Sequence, residues 1–233
     1  MTVSTAAITF VDFPQDKVTL AGNSGVGKTT LFLRFKLGQF IENPDSIGCE
    51  GEFRKNWPVD GEEVSMTLYD TAGIERYAQI NSTYFRRSRV VIFMYDISDR
   101  ETFDSLTHWE REAVEKSFTR GQPEIITALV GNKVDLEDER QVTNARALQF
   151  ADNYCIPKEL VFEISAKSGE GVSEMFDAII RAMLLKGTNQ RNLESHTLDV
   201  MLNICWWCFP SGVGTSFQNE SSRNKRMFCV CMY

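Results

Sequence analysis

The segment AGNSGVGKTT, residues 21–30, decides the fold because it joins an apolar, strand-like run to a helical pattern through a glycine-rich loop. Gly22 to Thr29 fit the pattern G-x-x-x-x-G-K-[ST], in which loop N–H groups and a helix N-terminus surround phosphate. The alternative, a glycine-rich loop with an incidental lysine, is disfavoured by this strand-loop-helix context. The residues predicted to hold phosphate are Ser24, Gly25, Val26, Gly27, Lys28, Thr29 and Thr30.

Apolar runs alternate with helical patterns along the chain. Strands are predicted at 18–22, 64–70, 89–96, 124–131 and 160–166, and helices at about 27–37, 100–118, 143–155 and 171–186. Asp60-Gly61 separates two strand-like runs and predicts a hairpin. We therefore expect an α/β P-loop fold, in which a six-stranded, mostly parallel sheet with one antiparallel edge strand carries helices on both faces.

Composition excludes some classes of function. The 233 residues carry a formal net charge of −7, with a pI near 5.0, which argues against nucleic-acid binding because that activity needs a basic surface. The first residues, MTVSTAAITF, lack the basic and long apolar regions of a secretory signal. We expect a cytoplasmic protein, monomeric, whose partners are proteins or small molecules.

Two further motifs predict which base is bound. GNKVD at 131–135 and SAK at 165–167 each follow a predicted strand, at the carboxyl edge where parallel sheets bind ligands. Guanine presents two adjacent donors, which one carboxylate can accept together, and Asp135 suits that role. Adenine offers no such pair, and an unpaired buried carboxylate would cost about 1–3 kcal/mol or more.

With these motifs the chain resembles the Ras superfamily of small GTPases, and most closely its Rab branch. The resemblance covers about residues 14 to 187 and rests on GNSGVGKT, DTAG, NKVD and SAK in that order. It implies an N-terminal extension at 1–13, a GTPase domain at 14–187 and a flexible tail at 188–233. It also implies binding of GTP and GDP with Mg²⁺, and a switch that regulates vesicle traffic.

The resemblance assigns roles to individual residues. Asn132 and Asp135 contact guanine, the stem of Lys133 packs on the base, and the Ala166 amide meets the base oxygen. Phe40 lies against the ring, with ordinary core packing as the alternative. Mg²⁺ is held by Thr29 and Ser46, and by Asp70 through water. The remaining residues assigned to the nucleotide site are Gly73, Ser165 and Lys167.

One departure from the family pattern affects catalysis. Ile74 stands where DTAGQE has its glutamine, and isoleucine cannot hydrogen-bond the attacking water. We therefore name no catalytic residue except Lys28, which stabilises phosphate charge, and we expect slow intrinsic hydrolysis. The alternative is a binding module, a GTP-locked scaffold with negligible hydrolysis. A P-loop kinase is remote, because it leaves NKVD and SAK unexplained.

The resemblance also implies partners. Effectors would bind at the switch regions, where Tyr69, Tyr77 and Tyr84 are either contact aromatics or semi-buried packing. A guanine-nucleotide exchange factor and a GTPase-activating protein would control the cycle, and activating proteins of the Rab branch supply a glutamine themselves. Gly51 and the pair Arg87-Ser88 depart from the Rab pattern, so effector choice is the least transferable feature.

The tail carries a possible membrane anchor. Cys229 and Cys231 form a C-x-C, which resembles prenylated Rab termini but is followed by two more residues. We expect reversible association with the cytosolic face of endomembranes through this lipidated tail. Cys205 and Cys208 could instead join them in a four-thiolate zinc site, although C-x-C is an awkward half of one.

Overall fold

The computed structural model describes residues 17–43, 51–71, 85–117 and 125–186. Its strands are β1 (Lys17–Ala21), β2 (Glu52–Val59), β3 (Glu62–Tyr69), β4 (Val90–Asp96), β5 (Ile126–Asn132) and β6 (Val161–Ile164). Its α-helices are α1 (Lys28–Leu37), α2 (Arg100–Asp104), α3 (Leu106–Ser117), α4 (Asn144–Asn153) and α5 (172–186). Short 3₁₀ helices span Val134–Glu139 and Lys158–Leu160.

The six strands form one sheet in the order β2-β3-β1-β4-β5-β6. Among the described strands, β2 and β3 pair antiparallel, and the other neighbours are parallel. All seven residues of β4 are buried, as expected for a central parallel strand covered on both faces. The predicted α/β fold is confirmed, including its single antiparallel edge strand.

The hairpin prediction at Asp60-Gly61 is also confirmed. Val59 pairs with Glu62, so the loop contains two residues, and both have positive φ, 50° at Asp60 and 84° at Gly61. This two-residue geometry matches the right-handed twist of the strands. The turn therefore fixes the register of β2 against β3.

Two of the differences between predicted and observed elements have a local cause. The helix expected at 100–118 is divided at Ser105, whose hydroxyl donates to the Thr102 carbonyl at 2.7 Å. Serine hydroxyls compete in this way with regular helix hydrogen bonds. The strand expected at 160–166 ends at Ile164, because Ser165 and Ala166 turn away into side-chain contacts described below.

Helix α5 is anchored to the sheet by its apolar face and by polar contacts. The predicted stripe of Val172, Met175, Phe176, Ile179, Ile180 and Met183 is buried. The Trp57 indole N–H donates to Asp177 at 2.6 Å, and Arg181 grips Asp60 with two hydrogen bonds of 2.9 and 3.0 Å. The helix is thus fixed to the β2–β3 hairpin as well as to the central strands.

The Tyr95 hydroxyl is buried and has no hydrogen-bond partner within the described part of the chain. Burial raises the pKa of Tyr95 well above its usual range. Because an unpaired buried hydroxyl is costly, we expect Tyr95→Phe to leave the free energy of unfolding unchanged or to raise it by about 1 kcal/mol. Urea unfolding at neutral pH measures this difference.

Tyr154→Phe is the matched control for Tyr95→Phe. Its hydroxyl donates to Thr107 at 3.3 Å in an exposed position, so its removal should change the free energy of unfolding by less than about 0.5 kcal/mol. A loss of 1 kcal/mol or more in Tyr95→Phe would contradict the prediction, because it would show that the buried hydroxyl has a partner.

Candidate functional site: three loops at the carboxyl edge of the sheet

The phosphate loop connects β1 to α1. The Lys28 side chain is buried, and its ammonium donates to the carbonyls of Gly22 and Asn23, both at 2.8 Å. The first α1 hydrogen bond runs from Leu31 N–H to the Gly27 carbonyl at 2.9 Å. The structure thus places a lysine ammonium inside the loop and a helix N-terminus at its end, as predicted for this motif.

Gly27 is a residue of the loop at which a side chain would collide with another part of the site. It lies at the N-terminus of α1 with φ 99°, a left-handed conformation that glycine adopts readily. A Cβ atom at this position would lie 2.2 Å from the Asn132 amide nitrogen. The absent side chain therefore allows Asn132 to approach the backbone of the phosphate loop.

Asn132 joins three loops. Its side-chain N–H donates to the Val26 carbonyl at 2.8 Å, and its side-chain oxygen accepts the Ala166 N–H at 2.9 Å. The side chain is buried, so both hydrogen bonds are shielded from water. Through this one residue, the phosphate loop and the NKVD and SAK segments become a single hydrogen-bonded unit. A base oxygen that approached the Ala166 amide would share that donor with Asn132.

Asp135 and Ser165 bring NKVD and SAK together a second time. The Ser165 hydroxyl donates to an Asp135 carboxylate oxygen at 2.5 Å and accepts the Ser168 N–H at 2.9 Å. Asp135 is exposed, whereas Ser165 is fully buried. A buried hydroxyl therefore orients one oxygen of an accessible carboxylate, as expected for a group that accepts donors from a ligand.

Lys133 is held by a carboxylate that the sequence did not identify. Its backbone has φ 71°, and its ammonium lies 2.6 Å from Asp96 at the end of β4. Burial alone would raise the pKa of Asp96, but hydrogen bonds from Lys133 and Ser98 outweigh that effect and lower it below its usual range. The ionised Asp96 thus keeps the Lys133 stem in place.

The residues assigned to Mg²⁺ are only partly described. Thr29 is half-buried at the start of α1, and the buried Asp70 follows β3, the strand beside β1. The Asp70 N–H donates to the Gly51 carbonyl at 2.8 Å, and the Thr71 hydroxyl donates to the Leu20 carbonyl at 2.8 Å. These two hydrogen bonds connect the start of the DTAG segment to the residue before β2 and to β1. These hydroxyl and carboxylate oxygens fit the hard cation Mg²⁺. Ser46, Gly73, Ile74, Tyr77 and Tyr84 lie outside the described residues.

Two predicted aromatic residues are described. Phe40 is 38% exposed, so the alternative that it is ordinary core is wrong, while its contact with a purine ring stays a prediction. Tyr69 is half-buried, with the Lys17 ammonium 4.6 Å from its ring centre. The tail cysteines, Cys205, Cys208, Cys229 and Cys231, lie outside the described residues, as do the 1–13 extension and the tail boundary.

Sequence reasoning missed two more contacts at the site. The Trp109 indole on α3 donates to the Asn23 side chain at 2.9 Å, and the Arg34 guanidinium on α1 donates to the Ala166 carbonyl at 2.5 Å. The first pair of residues is separated by 86 positions in the sequence and the second by 132, so no periodic pattern predicts these contacts. Within the described ranges, no helix combines the length and apolarity needed to cross a bilayer.

Comparison with known proteins identifies the family. The sequence matches the Ras family over residues 17–185. It is 35% identical to Ras-related protein Rab-13 of Canis lupus familiaris over 181 residues, 77% of this chain and 85% of that protein. It is 37% identical to Ras-related protein Rab-24 of Dictyostelium discoideum over 192 residues, 81% and 90% of the two chains.

A third relative is similar to the same degree. Ras-related protein Rab-30 of Homo sapiens is 35% identical over 161 residues, which is 69% of this chain and 75% of that protein. The region that matches the Ras family, residues 17–185, contains all three loops that Asn132 connects. The chain therefore belongs to the Ras family, as a Rab-like small GTPase.

Proposed function

We propose that this chain is a switch that binds GTP and GDP with Mg²⁺ and hydrolyses GTP slowly. The observation that carries the proposal is the Asn132 side chain, which connects the phosphate loop to both base-recognition segments at 2.8 and 2.9 Å. Members of the Ras family are GTPases that bind these nucleotides with Mg²⁺. The connection of the three loops supports a site in which one guanine nucleotide lies across them.

The phosphate end of the nucleotide is assigned to residues 24–30. Their N–H groups and the α1 N-terminus supply positive potential, and Lys28 adds a full charge from inside the loop. Thr29, Ser46 and Asp70 would hold the metal, the last through water. Mg²⁺, when bound, neutralises charge on the phosphate oxygens.

The base end is assigned to Asp135, Lys133, Ala166 and Phe40. The Asp135 carboxylate accepts the two adjacent donors of guanine, and the Ala166 amide donates to the base oxygen. The Lys133 stem, held by Asp96, lies on one side of the ring, and Phe40 covers it from another direction. This donor and acceptor pattern selects guanine over adenine.

The biological role that we propose is regulation of vesicle traffic at the cytosolic face of endomembranes. Closure of the first switch on the γ-phosphate, through the Ser46 hydroxyl, would expose a surface for effector proteins. An exchange factor and an activating protein would set the ratio of the two states. Prenylation of Cys229 or Cys231 would supply the anchor, helped by the basic residues just before them. We also propose that the protein is a monomer in the cytoplasm.

The proposal of slow hydrolysis rests on the identity of Ile74. Phosphoryl transfer in these sites depends on positioning of the attacking water, and an isoleucine side chain offers neither donor nor acceptor. The same residue favours the second candidate function, a GTP-locked scaffold that presents its switch surface permanently. The two candidates differ in whether bound GTP is consumed at a measurable rate.

We expect Ile74→Gln to hydrolyse bound GTP about tenfold faster than the parent, because glutamine can hold the attacking water in line. Single-turnover hydrolysis by the full-length chain, preloaded with GTP and Mg²⁺, measures the two rate constants. Ile74→Leu is the matched control, since it changes the shape of the side chain without adding a hydrogen-bonding group.

The outcomes separate the candidates. A slow but measurable parent rate that Ile74→Gln raises supports a switch, while a parent that keeps its GTP intact through many hours supports the scaffold. Equal rates in all three proteins would contradict the role given to Ile74. A parent that fails to retain guanine nucleotide with Mg²⁺ would refute both candidates.

A further inference from the structure

Arg34 lies on α1, the helix that begins at the phosphate loop, but its side chain reaches the SAK segment. Its Nε–H donates to the Ala166 carbonyl at 2.5 Å, and one terminal N–H₂ donates to the Lys167 carbonyl. Two consecutive peptide groups are therefore bound by one guanidinium. Because the donor is charged, these hydrogen bonds are stronger than those between neutral groups.

The SAK segment is shaped to receive this guanidinium. A Cβ atom at Gly169 would lie 2.9 Å from a terminal nitrogen of Arg34, so a side chain there would displace it. The Gly169 N–H donates to the Ser165 carbonyl at 2.8 Å, which closes a turn around Ala166 and Lys167. The carbonyls of Ala166 and Lys167 face α1, and Arg34 donates a hydrogen bond to each of them.

The two peptide groups that flank the Ala166 α-carbon are thus held by different side chains. The Ala166 N–H donates to Asn132 at 2.9 Å, and the Ala166 carbonyl accepts from Arg34. Asn132 alone fixes only the N–H end of the residue, so rotation about the Ala166 φ and ψ bonds would still move the carbonyl end and the residues that follow. Arg34 restricts that rotation, because it also binds the next carbonyl along the chain.

We infer that Arg34 is a positioning residue for guanine recognition, acting through the peptide groups of Ala166 and Lys167. This inference rests on the proposed function, since it concerns how the same site retains its nucleotide. Arg34 lies on the phosphate-binding helix, so it makes the base loop and the phosphate helix move together. Loss of the guanidinium should loosen the base loop and speed nucleotide release, with the phosphate contacts left in place.

The test compares release of a fluorescent GDP from the full-length parent, Arg34→Met, Arg34→Lys and Arg181→Met, with Mg²⁺ present. Arg34→Met keeps much of the apolar stem but no donor, and we expect release about tenfold faster than in the parent. Arg34→Lys keeps the charge but not the planar fork, so it should fall between them. Arg181→Met is the matched control, since it removes an equally forked arginine from the hairpin contact with Asp60.

Two further measurements distinguish positioning from general destabilisation. Urea unfolding compares the free energies of unfolding of Arg34→Met and Arg181→Met, and hydrogen exchange in the GDP-bound proteins follows the amides of residues 166–169. We expect faster exchange at these amides in Arg34→Met alone, with partial restoration in Arg34→Lys. If Arg34→Met fails to fold, nucleotide release and amide exchange in Arg34→Lys, compared with the parent, still decide.

Each outcome has one meaning. If Arg34→Met releases GDP and exchanges its amides at the parent's rates, the inference is overturned. If Arg181→Met releases GDP as fast as Arg34→Met does, the effect is one of general stability, and the positioning role is overturned as well. A parent that binds no guanine nucleotide would instead overturn the proposed function, which the parent measurement alone reveals. Fast release confined to Arg34→Met, and intermediate in Arg34→Lys, supports the inference.

Discussion

Asp135→Asn is expected to weaken GTP binding about a thousandfold and to create binding of xanthosine triphosphate. Guanine offers two donors to the carboxylate, and an asparagine can accept only one of them while its N–H₂ faces the other. Xanthine has an oxygen in place of the guanine amine, so it accepts that N–H₂. The change exchanges one base preference for another and leaves the phosphate contacts intact.

A hydrogen bond in the structure gives a further reason to expect that Asp135→Asn reverses the base preference. The Ser165 hydroxyl donates to one Asp135 oxygen at 2.5 Å, and the same donation to an asparagine oxygen would turn its N–H₂ outward. Competition of GTP and xanthosine triphosphate against fluorescent GDP or its xanthine counterpart measures both affinities. Asp138→Asn, in the same 3₁₀ helix, removes the same charge and should change neither.

Retention of parent-like GTP affinity by Asp135→Asn would mean that this carboxylate does not contact the base. Loss of both nucleotides, with a normal free energy of unfolding, would mean that Asp135 has a role beyond base selection. Only a preference for xanthosine triphosphate over GTP agrees with a base site formed by Asp135, Ser165 and Asn132.

Gly27→Ala is expected to lower GDP affinity at least about a hundredfold. The new Cβ would lie 2.2 Å from the Asn132 amide nitrogen, so the side chain of Asn132 must leave its place. Both of its hydrogen bonds, to Val26 and from Ala166, are lost together, and each leaves a buried backbone group unpaired at about 1–3 kcal/mol. The left-handed backbone, φ 99°, adds strain.

Gly38→Ala separates backbone strain from the collision. Gly38 follows the last residue of α1, away from the phosphate loop, with φ 73°, and a Cβ there meets nothing within 4 Å among the described residues. It should therefore weaken GDP binding by roughly tenfold at most, which corresponds to about 1.4 kcal/mol of strain. Equilibrium binding of fluorescent GDP, with circular dichroism as a check on folding, compares the variants. Equal losses in the two would contradict the proposed displacement of Asn132.

Local patterns predicted the sheet and the loops because each depends on residues close in sequence. Asp60-Gly61 encodes its turn by conformational preference, and the G-x-x-x-x-G-K-T run encodes a loop between a strand and a helix. The buried stripe of α5 follows from the helical repeat. Ser105 shows the limit, since nothing in its neighbourhood indicates that its hydroxyl would interrupt a helix.

The contacts between the loops were not predictable in the same way. Asn132 was assigned to the base, yet both polar atoms of its side chain bind protein groups in the structure. Asp96, Trp109 and Arg34 reach the site from other elements, across distances in sequence that carry no periodic signal. Their roles depend on which strands are neighbours, so they appear only once the sheet order is known.

The anchoring of α5 has a mechanical consequence. The helix ends where the Arg89 guanidinium donates to the Met183 carbonyl at 2.8 Å, just before β4 begins, and Arg181 grips Asp60 at the hairpin turn. Both contacts lie at the amino edge of the sheet, whereas the nucleotide loops follow the carboxyl ends of the strands. Tension applied to the chain after residue 186 would therefore act first on contacts at the edge of the sheet opposite the nucleotide loops.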